Sequence, residues 1–119
     1  MPRAKGGVLT RRKHKKILKL TKGHRASRHK LYRRAHESML HALHYAYCHR
    51  RERKGDMRRL WIIRINAAAR ANGLSYSQLI DGLGKASVEI NRKSLAEMAI
   101  HDPDSFSKLV SMAQDKLNG

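Results

Sequence analysis

Between Arg25 and Asn72 the chain has no proline and one glycine, Gly55. Helix formers dominate the interval, and Asn72-Gly73 then supplies a stop signal of the left-handed type. Taken literally this is one helix of 48 residues, roughly 72 Å at 1.5 Å per residue, with Gly55 as a place to bend. In a chain of 119 residues such a rod projects well beyond any core that the remaining residues can build.

Charge divides the chain along the same line. The first acidic residue is Glu37, and the residues before it carry 14 Lys or Arg. Residues 1–59 hold 20 of the 27 basic side chains and 3 of the 9 acids, a net of +17; residues 60–119 hold 7 and 6, a net of +1. The N-terminal half is thus too charged to bury itself, whereas the C-terminal half, rich in Leu, Ile, Ala and Met, can form one small domain. The expected organisation is an extended basic helical arm over 1–59 and a globular all-α domain over 60–119. Charge packed this densely into one half requires a polyanionic partner to offset its self-repulsion, and nucleic acid is the expected one.

The faces of the long helix change along its length. Leu31, Ala35, Met39, Ala42 and Ala46 make a thin apolar stripe, His49 to Arg59 is polar on nearly every face, and Leu60 to Ala71 is apolar nearly all round, as in a buried helix. Before it, a short basic helix starts near Thr10, a candidate N-cap, and closes at Gly23. After it come three short helices. Ser75 or Ser77 caps the first, Asn91 the second, and Asp102-Pro103-Asp104 starts the third, with proline in the first turn where its missing N–H costs nothing. Phe106, Leu109, Val110, Ala113 and Leu117 share one face of that last helix. No alternating strand pattern occurs, so the fold class is all-α.

Several function classes are excluded. No apolar run exceeds four residues, so the sequence holds neither a membrane span nor a signal-peptide core. The apolar stripe of the first sixty residues is too narrow for insertion into a membrane surface. An Arg-rich, acid-free start resembles a transit peptide, but this one is rich in Lys and His and Ser27 is its only serine. The lone Cys48 has no partner for an intrachain disulfide, which fits a reducing compartment. There is no Gly-rich phosphate loop, no GxSxG and no pair of carboxylates in an apolar setting, so no enzyme and no cofactor are expected. His41, His44 and Cys48 fall on one helix face, yet a structural zinc site needs a fourth ligand, so no metal is assigned.

The candidate RNA contacts are Arg3, Lys5, Arg11, Arg12, Lys13, Lys15, Lys16, Lys22, Arg25, Arg28, Lys30, Arg33, Arg34, Arg50, Arg51, Arg53, Lys54, Arg58 and Arg59 on the arm, with Arg64, Arg92 and Lys93 on the domain. Along the rod they put charge on several faces, which suits a channel between RNA helices better than a flat duplex surface. Arg64 interrupts an apolar helix and must reach a surface. Arg92 and Lys93 lie in a first helical turn, where cations are disfavoured unless a phosphate offsets them. Tyr32, Tyr45 and Tyr47 either stack on unpaired bases or pack on the apolar stripe. Trp61 reads as a core anchor.

The segment KGDMRRLWIIRINAAAR, from Lys54 to Arg70, resembles the signature of the bacterial large-subunit ribosomal protein L20 family. So do HKKILKLTKGHR, the YAY at 45–47, GLSYSQLIDGL and EINRKSLAEMAI, in order and over essentially the whole chain. Two positions depart. Ile63 stands where a smaller or polar residue is commoner, and Ser87 where glycine is common, which leaves Gly84 as an earlier end for its helix. The resemblance implies a long helical extension threading between segments of large-subunit ribosomal RNA, a small helical domain on that RNA, and a role early in subunit assembly. It implies neighbouring ribosomal proteins as partners and the cytoplasm as the compartment, with an organellar ribosome as the alternative. In some bacteria such a protein also represses translation of its own messenger RNA, so the second reading is a regulator acting through the globular half. Deleting residues 1–59 separates the two, because an autonomous regulator keeps sequence-specific binding and a scaffold loses most of its affinity.

Overall fold

The computed structural model describes residue 3 and residues 5–119. Five α-helices and one 3-10 turn make up its regular structure: α1 (Val8–Leu20), the 3-10 turn (Ala26–His29), α2 (Tyr32–Ala71), α3 (Tyr76–Lys85), α4 (Arg92–His101) and α5 (Pro103–Asn118). Among the described residues there is no strand, so the protein is all-α. It divides into two compact units, Met1–Arg51 and Glu52–Gly119.

Within the first unit, α1 starts earlier than its sequence suggests. Gly7 is the N-cap and offers no side-chain bond, so Thr10 lies inside the helix rather than at its start. At the other end the Thr21 hydroxyl donates to the Ile17 and Leu18 carbonyls, at 3.4 and 3.3 Å, and Gly23 adopts φ +87°. Only glycine enters that region without steric cost.

The long helix is shorter than expected, 40 residues beginning at Tyr32. Residues 25–31 form a turn in which Ala26 takes φ +56° and Leu31 N–H closes onto the Ser27 carbonyl at 2.9 Å. Contacts distant in sequence hold this turn: His24 Nδ1 and Ser38 Oγ lie 2.6 Å apart, and the His14 ring stacks on Tyr32 with centroids 3.8 Å apart. The arm therefore does bury something, against expectation. Thr21, Ala35 and Met39 are buried, while Leu31, Ala42 and Ala46 of the expected stripe are exposed. Gly55 does not interrupt α2.

In the second unit the core gathers Ile65 and Ala69 from α2, Leu79 and Leu83 from α3, Leu95 and Ala96 from α4, and Phe106, Val110 and Ala113 from α5, with Leu74 from the α2–α3 connection. α5 packs along α3 and also against α4. The α2 segment from Leu60 to Ala71 is buried on one stripe only; Ile63 is 64% exposed, so its apolar character exceeds what this unit covers.

Each corner of the unit is made by a local device. α2 ends with Leu74 N–H on the Ala69 carbonyl and Gly73 N–H on that of Arg70, with Gly73 at φ +92°. This paired closure is the Schellman arrangement. The same pair recurs after α3, from Val88 to Leu83 and from Ser87 to Gly84, with Ser87 at φ +57°. Ser87 thus occupies a glycine position, and Gly84 does not end the helix. Ser75, rather than Ser77, caps α3 in a reciprocal capping box with Gln78. Asn91 Oδ1 accepts from Ser94 N–H at 2.8 Å, and Asp102 Oδ1 from Ser105 N–H at 3.2 Å. Pro103 occupies the first turn of α5.

Candidate nucleic-acid interface

Long cationic side chains on a helix leave their charged ends in water unless a carboxylate is near. In the first unit such carboxylates are almost missing, and the candidate contacts are correspondingly open. Arg3 and Lys5 precede α1. Arg11, Arg12, Lys13, Lys15 and Lys16 lie on α1. Lys22, Arg25, Arg28 and Lys30 lie in and around the turn. Arg33, Arg34, Arg50, Arg51, Arg53, Lys54, Arg58, Arg59 and Arg64 follow along α2, and Arg92 and Lys93 begin α4. All are exposed except Arg64 and Arg92, which are half-buried.

Four of these residues are brought together in the second unit. Lys54 and Arg58, one turn apart on α2, face Arg92 and Lys93 of α4 across a pocket of about 540 Å³ that Trp61, Gly55 and Asn91 complete. Trp61 has a second aspect beyond the core-anchor role, since it packs on the core and also walls this pocket. Arg92 is held in place: its Nε donates to the Tyr76 hydroxyl at 2.7 Å. Tyr76 is absent from the sequence-derived candidates. The sequence carries no sign of it, because the half-burial that sets its hydroxyl against a polar partner arises only in the fold.

The remaining cations do not converge on one site. Arg28 and Arg34 line a smaller cleft with Glu37, Ser38, His41 and Tyr45, and Arg11 and Lys15 line another with Thr10 and His14. Tyr32 is taken up by His14, whereas Tyr45 and Tyr47 stay about half exposed. The Arg51 guanidinium sits 3.9 Å over the Tyr47 ring, a cation–π contact. His44 Nε2 and Cys48 Sγ approach to 3.6 Å, while His41 stacks on Tyr45. Among the described residues no three metal-binding side chains come together, and no helix is long and apolar enough to cross a membrane.

A long helix studded with exposed cations and a small all-helical unit characterise a polycationic helical protein. Its relatives are consistent in kind. The profile of the family described as Ribosomal protein L20 matches residues 3–109. Large ribosomal subunit protein bL20 of Dehalococcoides mccartyi is 61% identical over 113 residues, 95% of each chain. The protein of that name from Moorella thermoacetica is 57% identical over 117 residues, 98% of this chain and 97% of its own. That from Caldanaerobacter subterraneus is 58% identical over 118 residues, 99% of each. The chain belongs to the ribosomal protein L20 family: it is a structural protein of the ribosome and not an enzyme.

Proposed function

We infer that the protein binds large-subunit ribosomal RNA and supports early assembly of that subunit. One observation carries this reading. Among the described Lys and Arg residues up to Arg59, only Arg34, at 3.5 Å from Glu37, and Arg59, at 3.3 Å from Asp56, have a carboxylate partner. The others have no carboxylate within ion-pair distance. Phosphates that approach such a surface displace condensed cations into solution, and the entropy of that release drives binding. Arginine adds bidentate contacts to phosphate oxygens and stacking on bases, which lysine cannot supply. RNA segments repel one another until their charge is neutralised, so a cation-rich helix placed among them early favours their packing. The relatives' name, Large ribosomal subunit protein, agrees with this partner. Neighbouring ribosomal proteins and a cytoplasmic ribosome complete the reading.

The test is co-sedimentation. The protein should travel with the large subunit and remain there through a moderate salt wash. Recovery only in the free fraction, or with the small subunit, would overturn the assignment.

A further inference from the structure

We propose that the pocket between α2 and the start of α4 takes a single unpaired nucleotide, with its base on Trp61 and its phosphate held by Arg92 and Lys93. The proposal rests on the reading of the protein as an RNA binder and specifies what this part of its surface recognises.

The pocket differs from the other clefts of the basic surface in its lining. The cleft at Arg28 and Arg34 includes the acid Glu37, and the one at Arg11 and Lys15 has neither a tryptophan nor a tyrosine in its wall. Here Lys54, Arg58, Arg92 and Lys93 surround a half-buried indole. A volume of about 540 Å³ lies within the range of sites that take small organic ligands. A paired base is sandwiched in its own stack and cannot enter a recess, so the ligand is a base already out of a helix. An indole face accepts any base by stacking, and cations at the rim meet its phosphate.

The anion's place is set by Arg92. Its Nε is engaged by Tyr76, which packs against the core, so the guanidinium is oriented with its remaining N–H groups available. The first turn of α4 holds no acid, and Asn91 satisfies the N–H of Ser94. An anion at this corner thus meets two cationic side chains with no competing carboxylate in that turn. Tyr76 is a positioning residue: it orients Arg92 and does not itself touch the ligand.

Trp61 is the only tryptophan of the chain, so its fluorescence reports on this pocket alone. The full chain is titrated with three labelled RNA stems, one carrying a bulged purine, one an abasic site at the bulge, and one fully paired. RNA anisotropy reads total binding while tryptophan emission reads the pocket. All three should bind with strong salt dependence, and only the bulged purine should quench Trp61, by about half or more, with affinity roughly 5-fold or more above the abasic stem. Equal binding and equal emission for the three stems would overturn the nucleotide pocket while leaving RNA binding intact. Failure of all three to bind at low salt would overturn the RNA reading itself. Tyr76→Phe, which keeps the ring in the core, should leave the melting temperature unchanged and lower the bulged-to-abasic preference, as should Arg92→Lys. An unchanged preference in Tyr76→Phe would remove Tyr76 from the site.

Discussion

Gly82 faces Ala113 across the α3–α5 contact with so little room that a Cβ on Gly82 would lie 2.7 Å from the Ala113 Cβ and carbonyl oxygen. The obstacle includes backbone, which cannot rotate away as a side chain can. Gly82→Ala should therefore push the two helices apart and destabilise the globular unit by about 1–3 kcal/mol, the usual cost of overpacking. Chemical denaturation followed by circular dichroism measures this; an unchanged midpoint would mean that the helices separate freely.

Ser87 offers the opposite experiment. It holds φ +57° at the end of α3, a conformation that costs an L-residue roughly 1 kcal/mol and glycine almost nothing. Ser87→Gly should raise stability by up to about 1 kcal/mol, the unfolded-state entropy of glycine offsetting part of the gain. Gly73→Ala, at φ +92°, should lower it. The same denaturation curves check both signs.

Acid should loosen the start of α5. Hydrogen bonds from the Ser105 side chain and then its backbone hold the Asp102 carboxyl below its ordinary value of 3.8. A carboxylate whose folded pKa is depressed stabilises the fold above its unfolded value, and that contribution disappears as pH falls through the folded one. The helical signal of the α5 N-terminus should thus decline as pH drops below about 4. Asp102→Asn should flatten that part of the profile, as amide chemical shifts of Ser105 would show.

Charge on the arm should act collectively. If about 8 phosphates are neutralised, log K falls with log salt at a slope of roughly −6 to −7. Lys15→Ala should weaken binding slightly and shallow the slope by about one unit at most. Replacing Arg50, Arg51, Arg53 and Lys54 together should do far more. Entry of that variant into large subunits at the normal rate in a reconstitution assay would move the assembly role to the globular unit.

The legible parts of the fold were those set by bonds between near neighbours. Asn91, Asp102 and the Asn72-Gly73 stop act on backbone groups within a few residues, so the residue types announce them. The start of α2 was illegible because no glycine or proline marks it. It depends on His24 meeting Ser38 and His14 meeting Tyr32, contacts that exist only once the chain has turned. Ile63 misled for a related reason: an all-apolar segment does not reveal how much of it a small unit can cover. In the candidate interface Lys54, Arg58, Arg92 and Lys93 were each recognisable by charge. Their convergence on Trp61 was not, since α3 intervenes in the chain, and nothing near Tyr76 shows that its hydroxyl will hold Arg92.

α5 gives the globular unit its order of completion. Phe106, Val110 and Ala113 fill the space between helices that precede them in the chain, so the core that α2, α3 and α4 contribute to stays incomplete until α5 is made. Folding then waits for synthesis to pass Ala113, and the core forms late and in one step from contacts between distant segments. A chain interrupted before Pro103 would carry every cation of the arm and a core without Phe106, Val110 and Ala113. It could still compete for RNA without completing a subunit, and its exposed helices would mark it for degradation.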